Sequence, residues 1–383
     1  MLAGFAAFLD LYSTQPLLPL LTRTFHATNF DVSLTITATT AAVALAAPFV
    51  GRLGDRFGLR TVIVASAFAL ATATVLAATA TSLWTLIGWR FAQGLATPGL
   101  VATVIAYIHE EWPTSRVGRT TAAYVSGTVI GGVTGRLLGG VVAADVSWSS
   151  SFVVLGAIGY AVAAALWLWL LPERARRLVM SERSSGSLAS HLRHPQLLAT
   201  YAVGFCLLCT QVAMFTYVPF RLAGPPFSLS TAALGFIFLT YIVGAAVTPL
   251  AGRGIDAYGH RAVLVAALGL SAMGALMTLV PALIVITAGL SIFATGVFFA
   301  QAASSSHVAH HATHGRGLAV GLYATFYYIG GSVGGAVPAK LWDLGGWRTC
   351  VGFIIVVELT MLAIAGRVWT NTAGAAGLAE TAL

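Results

Sequence analysis

The stretch PFVGRLGDRFGLRTVIVA, residues 48–65, occurs a second time as PLAGRGIDAYGHRAVLVA, residues 249–266. Pro, Gly, Arg, Asp, Gly and Arg occupy the same places in both copies, which lie 201 residues apart. Further pairs have nearly the same spacing: FAQG (91–94) and FATG (293–296), Tyr124 and Tyr323, Gly131-Gly132 and Gly330-Gly331, and Trp148 and Trp347. Similarity at one fixed spacing indicates two copies of one unit. We predict units over 1–171 and 196–383, joined by a polar linker over 172–195.

The composition indicates that these units are solvated by lipid. Hydrophobic residues make up 58% of the 383 residues, charged residues make up 8%, and the mean hydropathy is +0.87. A helix needs about 20 apolar residues to cross a bilayer. Twelve predominantly apolar runs of that size follow one another: 2–22, 32–50, 61–80, 83–108, 118–142, 150–171, 197–220, 230–251, 262–281, 283–306, 317–339 and 349–369. The sequence therefore predicts an all-α integral membrane protein with twelve transmembrane helices in two six-helix halves around a central cavity.

The arginines predict how the chain is oriented. Alternate loops place fourteen arginines on one side of the membrane, against three arginines and Lys340 on the other. By the positive-inside rule the first side is the cytoplasm, and both termini lie there. No short apolar run ends in an A-x-A cleavage site, so no removable signal peptide is expected. The basic residues form no stripe with interleaved aromatics, so the net charge of +8 does not predict nucleic-acid binding.

Three motifs resemble those of one transporter family. GRLGDRFGLR (51–60) resembles the loop 2–3 signature of the major facilitator superfamily, and RFAQG (90–94) resembles its helix 4 motif. GGVTGRLLGG (131–140) resembles the helix 5 motif of its drug:proton antiporters, except that Arg136 stands where that pattern has proline. Segments around Tyr12, Tyr124 and Tyr327 resemble a YnfM-like branch associated with acriflavine sensitivity. The resemblance implies the major facilitator fold, alternating access and proton-coupled multidrug efflux across a bacterial inner membrane.

The resemblance also implies a set of conformational gating residues. Asp55 and its counterpart Asp256 are expected to latch the two halves together at the cytoplasmic side in the outward-open state. The alternative is that this loop carries only a topological signal and a tight turn. Leu59 stands where the pattern usually has a basic residue, which weakens the charge network. The complete set is Gly51, Asp55, Arg56, Gly58, Arg60, Gly131, Gly135, Arg136, Asp256 and Arg261.

Away from the ends of the predicted spans lie four formal charges: Asp10, Arg90, Arg136 and Glu358. Each costs about 2.5–3.5 kcal/mol at a helix centre, so each is a functional candidate. Burial and a nearby guanidinium act on a carboxylate in opposite directions, so an Asp10–Arg90 site can be poised to exchange protons. We predict proton coupling through Asp10, Arg90 and Glu358. The alternatives are a structural ion pair or a shallow Asp10, and a packing hydrogen bond for Glu358. Arg136 is either a conformational element or a contact for an anion.

Aromatic and amide side chains in the spans are candidates for lining the substrate cavity. Such surfaces suit large amphipathic molecules, including cations. The candidates are Tyr12, Gln15, Gln93, Gln211, Tyr217, Phe298 and Gln301. Each could instead be an ordinary packing residue. Pro16 and Pro19 predict a break or bend in the first helix beside Tyr12 and Gln15.

The histidines and cysteines are the remaining candidate metal ligands. HVAHHATH places His307, His310, His311 and His314 on one helical face, a weak candidate for Zn²⁺ or Ni²⁺. The alternative is a partly cationic cluster at a cytoplasmic helix end. Cys206 and Cys209 form C-x-x-C inside an apolar helix, where ordinary packing is the expectation. We therefore predict no metal and no cofactor.

The sequence thus predicts a secondary active transporter rather than an enzyme. The phosphate-binding loop of an ATP-driven pump, H-E-x-x-H and G-x-S-x-G are absent from the sequence. The leading hypothesis is proton-coupled export of amphipathic or cationic small molecules by a monomer whose partners are its substrate, protons and the lipid bilayer. The alternatives are a carrier of a small anionic or sugar-like solute, a metal-ion-linked transporter and a receptor that binds its ligand without moving it.

Overall fold

A computed structural model describes residues 1–171, 191, 193–312 and 316–369. Within these residues the secondary structure is helical and contains no β-strand. The helices are α1 (Leu2–Leu11), α2 (Leu18–Phe25), α3 (Asn29–Phe57), α4 (Leu59–Ala77), α5 (Leu83–Glu111), α6 (Thr114–Asp145), α7 (Trp148–Trp169), α8 (Pro195–Ala223), α9 (Thr231–Ile237), α10 (Thr240–Val247), α11 (Pro249–Met277), α12 (Leu283–His311) and α13 (Arg316–Val368). The prediction of an all-helical protein is confirmed.

Nine helices of the described chain are long and apolar enough to cross a membrane. They are α3 to α8 and α11 to α13. The first predicted span consists instead of α1, a 3-10 turn over Gln15–Leu17, and α2. The eighth predicted span is covered by α9, α10 and the start of α11. The last two predicted spans are covered by α13, whose backbone is not helical at Gly345 and Gly346 between them. The count of twelve spans therefore stays a prediction.

Glycine allows the same backbone turn in both copies of the repeated stretch. Gly58 separates α3 from α4 with φ 91°, and Gly259 bends α11 with φ 81°. An L-residue with a side chain rarely adopts this conformation, so the glycine in each copy is explained by backbone geometry. The bounds of the two halves stay a prediction, and most of the linker 172–195 lies outside the described residues.

Glycines on two helices allow backbone contact with a neighbouring helix. A Cβ atom at Gly131 or Gly135 of α6 would lie 2.2 Å or 1.8 Å from the carbonyl oxygen of Phe5 or Leu9 on α1. In the second copy, Gly330 and Gly334 of α13 meet the carbonyls of Phe205 and Cys209 on α8 in the same way. Close approach through small residues is a common way for membrane helices to associate. The backbones of α1 and α6 are therefore in direct contact, and so are those of α8 and α13.

The cysteines take part in packing. Cys206, Cys209 and Cys350 are buried free thiols. The Cys209 carbonyl lies against Gly334, which places the C-x-x-C segment on the α8–α13 contact. This arrangement agrees with the packing interpretation of the sequence.

Contacts between the first seven helices and the later ones lie toward one end of the bundle. In the first half of α3, Thr40 Oγ1 lies 3.0 Å from Ser332 Oγ of α13. Near the end of α6, Gly140 packs against the backbone of Gly235 on α9. Because α3 and α6 run in opposite directions, the start of one and the end of the other lie at the same side.

A Gly135→Ala substitution should destabilise the protein. Its methyl group would overlap the Leu9 carbonyl, and α1 would have to move away from α6. Overpacking of this kind costs about 1–3 kcal/mol. The midpoint of thermal unfolding, measured on purified protein in detergent, should fall. Gly88→Ala on α5 is the matched control, since no atom lies within 4 Å of its added Cβ. Equal midpoints for the two variants would contradict the packing argument.

Candidate functional site

The side chain of Arg90 closes the end of the first helix. Arg90 is fully buried on α5. Its guanidinium donates to the backbone carbonyls of Asp10 (2.8 Å) and Leu11 (2.6 Å), and more weakly to that of Thr35 (3.3 Å). The last carbonyls of a helix lack intrahelical partners and carry partial negative charge. Arg90 supplies donors and positive charge at the point where α1 ends.

The carboxyl group of Asp10 lies beside this arginine without pairing with it. Arg90 Nη1 donates instead to Gln93 Oε1 at 2.6 Å, and Gln93 Nε2 donates to Thr74 Oγ1 at 2.7 Å. Asp10 is 1% exposed, lies near Thr74 and within electrostatic range of Arg90, and its Oδ1 has no hydrogen-bond partner. A buried oxygen without a partner is costly, because it has given up its water without replacement. Asp10 is thus a buried carboxyl group with unused hydrogen-bonding capacity.

Arg136 forms a second cationic centre. Its guanidinium carbon lies 5.0 Å from the ring centroids of Tyr12, Phe238 and Tyr241. Its Nε donates to Gln15 Oε1 at 2.8 Å, and its Nη1 donates to the Gly132 carbonyl at 2.7 Å. Among the described residues no carboxylate is paired with it. We call Arg136, Gln15 and the three rings the Arg136 cage.

The Arg136 cage connects two parts of the chain. Tyr12 and Gln15 lie at the break between α1 and α2, whereas Phe238 and Tyr241 lie where α9 gives way to α10. Gln15 Nε2 also donates to Thr216 Oγ1 of α8 at 3.3 Å. The backbone break at Pro16 is what directs Gln15 toward both partners.

A layer of amide and aromatic side chains continues from the cage. Gln211 Nε2 donates to the Tyr241 hydroxyl at 3.4 Å, and the Tyr327 hydroxyl donates to Gln211 Oε1 at 3.4 Å. The Tyr241 ring also contacts Phe298 at 5.9 Å between centroids. Gln211, Phe298 and Tyr327 are partly exposed, so this layer has a free surface.

Some predicted site residues lie away from that surface. Gln93 is fully buried, and its amide group is hydrogen-bonded to Arg90 and Thr74. Tyr217 is equally buried and donates to the Gly335 carbonyl at 2.6 Å. Gln301 accepts from the Tyr323 hydroxyl at 3.4 Å. Glu358 lies at the contact of α13 with α11, where Ser271 donates to its Oε1 and its Oε2 has no partner. Proton coupling through Glu358 stays a prediction.

The predicted gating residues fall into two groups. Gly131, Gly135 and Arg136 lie on α6 at the contacts described above. The others, Gly51, Asp55, Arg56, Gly58, Arg60, Asp256 and Arg261, lie in the two copies of the repeated stretch. Of these, Asp55, Arg56 and Asp256 are exposed. Arg60 donates to the carbonyls of Leu170 (2.8 Å) and Trp167 (2.7 Å), so it caps the end of α7. The latch itself stays a prediction.

The histidines form a stacked cluster at the end of α12. The His307 ring stacks on Trp369 at 3.9 Å and on His311 at 4.0 Å, and its Nδ1 lies 2.9 Å from Thr200 Oγ1. His260 of α11 joins them, with its ring 5.9 Å from that of His310. Within the described chain no group of three or more His, Cys, Asp or Glu side chains is arranged to hold a metal ion. His314 lies outside the described residues.

Sequence reasoning missed several partners in the site. Phe238 and Tyr241 belong to the apolar run FIFLTYIV (236–243), where nothing marks them as neighbours of an arginine. Thr74 and the backbone carbonyls around Arg90 gave no signal either. His260 could have been found, because it directly follows Gly259 at the bend of the repeated stretch.

Comparison with known proteins identifies the family. The profile of the Major Facilitator Superfamily matches residues 1–335 and 224–377. The inner membrane transport protein YnfM of Escherichia coli K12 is 33% identical over 95% of this chain and 88% of its own. The uncharacterized MFS-type transporter YybF of Bacillus subtilis 168 is 33% identical over 95% of this chain and 91% of its own. The chain therefore belongs to the Major Facilitator Superfamily.

Solved structures support the fold. The human organic anion transporter MFSD10 superposes with a TM-score of 0.70 at 18% identity, covering 95% of this chain and 97% of its own. A bacterial Spinster homologue in an inward-facing, occupied conformation superposes with a TM-score of 0.75 at 16% identity, covering 96% of this chain and 95% of its own. The major facilitator fold is thus established, and the protein is a multi-pass membrane transporter.

Replacing Arg90 should destabilise the protein strongly. Arg90→Gln removes the guanidinium donors of the Leu11 and Asp10 carbonyls, and the Asp10 carbonyl keeps its bonds from Ser13. A buried acceptor left without a donor costs about 1–3 kcal/mol. We expect a lower yield of monodisperse protein and a lower unfolding midpoint. Arg119→Gln, an exposed position on α6, is the matched control and should behave like the native protein. Native stability in Arg90→Gln would contradict the capping role.

Proposed function

We propose that the protein is a proton-coupled secondary transporter of small amphipathic organic molecules, acting as a monomer by alternating access. The two copies of the repeated stretch and the contacts concentrated at one end of the bundle support this proposal. Under the predicted orientation, with both termini in the cytoplasm, the start of α3 and the end of α6 face outward. The conformation described here is then closed on the outer side.

Proton coupling is assigned to Asp10, and one observation carries the assignment. The carboxyl group is buried, its Oδ1 has no partner, and the nearby Arg90 is occupied by carbonyl and amide oxygens. When the surroundings of such a carboxyl group change, the relative stability of its protonated and deprotonated forms changes too. Movement of α1 against α5 alters those surroundings, which couples the proton to the conformation. Arg90 positions the helix end that carries Asp10.

The substrate surface is assigned to Tyr241, Gln211, Phe298 and Tyr327. Aromatic faces with a few amide groups suit amphipathic molecules of mixed character. Export of cationic drugs in exchange for protons remains the expectation from the YnfM-like motifs. In that cycle Asp55 and Asp256 would latch the cytoplasmic side when the outer side opens.

A second candidate substrate class is supported by the Arg136 cage. A buried guanidinium without an acidic partner repels a cation and attracts an anion, and the effect is large in a low dielectric. Two fold neighbours are described as an organic anion transporter and a nucleoside transporter, so this fold carries solutes of different charge. Transport of an anionic amphipathic solute is therefore the alternative.

Asp10→Asn should abolish proton-coupled transport while leaving the fold intact. The amide keeps the shape of the carboxyl group but does not exchange a proton near neutral pH. We would reconstitute the protein in liposomes, impose a pH gradient, and follow uptake of an acridine-type cation and of a fluorescent aromatic carboxylate. At least one probe should move against its gradient with native protein and not with Asp10→Asn.

Glu358→Gln is the matched control for the Asp10 assignment. It removes a second buried carboxyl group at the α11–α13 contact, away from the Arg90 network. If Glu358→Gln stops coupled transport and Asp10→Asn does not, the coupling residue has been assigned to the wrong carboxyl group.

A further inference from the structure

We propose that Arg136 recognises the carboxylate of an aromatic organic anion, and that this carboxylate takes the place now held by the Gln15 amide oxygen. The inference rests on the transporter function proposed above and names the substrate class of its central site. It combines two observations, namely the lack of an acidic partner for Arg136 and the double role of Gln15.

The Arg136 cage has the chemistry of a carboxylate site. The Nε atom already binds a carbonyl-type oxygen, Gln15 Oε1, at 2.8 Å. A carboxylate oxygen at the same place would form a stronger, charge-assisted bond and could use two nitrogens of the planar guanidinium. Exchange of a neutral acceptor for a charged one is favourable because the arginine charge is otherwise unpaired among the described residues.

The rings of the cage specify the rest of the ligand. Tyr12, Phe238 and Tyr241 surround the guanidinium at equal distances of 5.0 Å. The Tyr241 face leads on to Phe298 and to the partly exposed Gln211 and Tyr327. A flat apolar body attached to the carboxylate would lie along these rings, whereas a small inorganic anion would leave them unused. The ligand class is therefore an aromatic monocarboxylate.

Gln15 connects binding to the contact between the 3-10 turn Gln15–Leu17 and α8. Its Nε2 donates to Thr216 Oγ1 at 3.3 Å while its Oε1 accepts from Arg136. When a carboxylate displaces the amide oxygen, the Gln15 side chain loses the bond that holds it in position. The bridge to Thr216 is long and is weakened at the same step. Ligand binding thereby loosens one of the contacts on the closed side.

The test uses purified full-length protein in detergent and three probes of nearly equal size, benzoate, benzamide and benzylammonium. A ligand that binds only the folded state raises the unfolding midpoint, and the rise grows with the logarithm of one plus the ratio of the free ligand concentration to Kd. We expect benzoate to raise the midpoint and the two other probes to have no effect at the same concentration. Equal shifts for benzoate and benzamide would show that the charge is not recognised and would overturn the proposal.

Gln15→Glu separates carboxylate recognition from general damage to the site. The new carboxylate is tethered beside Arg136 and should occupy it, so benzoate affinity should fall at least tenfold while the unfolding midpoint without ligand stays the same or rises. Gln301→Glu on α12 adds the same charge beside Tyr323 and should keep benzoate binding. Native benzoate affinity in Gln15→Glu would overturn the proposal.

Variants at Arg136 complete the test. Arg136→Gln should lose benzoate binding, and Arg136→Lys should retain part of it because the positive charge remains. If Arg136→Gln does not fold, the Gln15→Glu result alone decides. The binding assay involves no proton gradient, so its failure leaves Asp10-dependent transport of cations or neutral solutes standing. Conversely, a protein that binds benzoate but shows no coupled transport supports the anion site and contradicts the transport proposal.

Discussion

The contact of the Arg90 guanidinium with the last carbonyls of α1 is the constraint on which the site depends. A charge in the middle of a membrane protein needs polar partners, because lipid supplies none. Arg90 finds them in the carbonyls of Asp10 and Leu11, which it can reach because α1 ends at Leu11. An uninterrupted helix would have used the Leu11 carbonyl for its own backbone, whereas here the Gln15 N–H bonds to Tyr12 instead. The buried arginine and the broken helix therefore require each other.

The break has consequences on both sides of it. Toward the start of the chain, it fixes Asp10 next to a guanidinium that is already occupied, and its carboxyl group remains incompletely bonded. Toward the end, it turns Tyr12 and Gln15 to Arg136. Backbone contact of α1 with Gly131 and Gly135 then fixes α1 against the helix that carries Arg136. Arg90 bonds to the Asp10 carbonyl and Arg136 bonds to the Gln15 side chain, so the short segment from Asp10 to Gln15 connects the two cationic centres.

The sequence predicted the features that depend on repetition and on residue type. The repeated stretch placed glycine at 58 and 259, and both adopt positive φ. The break near Pro16 followed from proline lacking a backbone donor. The partners of Arg90 could not be predicted, because a backbone carbonyl is common to every residue and leaves no signature. Gln93 was expected to line a cavity, since its type alone does not show that Arg90 and Thr74 occupy it. The contacts of Phe238 and Tyr241 with Arg136 depend on how α9 and α10 face α6, and one sequence does not contain that information.

Arg90 and Arg136 both lie in the predicted first half, although the backbone contacts recur in the predicted second half. Pairing the glycine contacts places Gly335 opposite Arg136 and Thr210 opposite Asp10, and the FAQG and FATG segments place Ile292 opposite Arg90. The helix that corresponds to the first span, α8, runs without interruption from Pro195 to Ala223. Because Ile292 stands in the place of Arg90, no arginine requires backbone carbonyls from this helix. The second half instead contributes Phe238 and Tyr241, whose ring faces stabilise the cation of the first. Because Arg136 packs against Tyr12 of its own predicted half and against Phe238 and Tyr241 of the other, any movement of α9 and α10 relative to α6 would change the surroundings of the guanidinium.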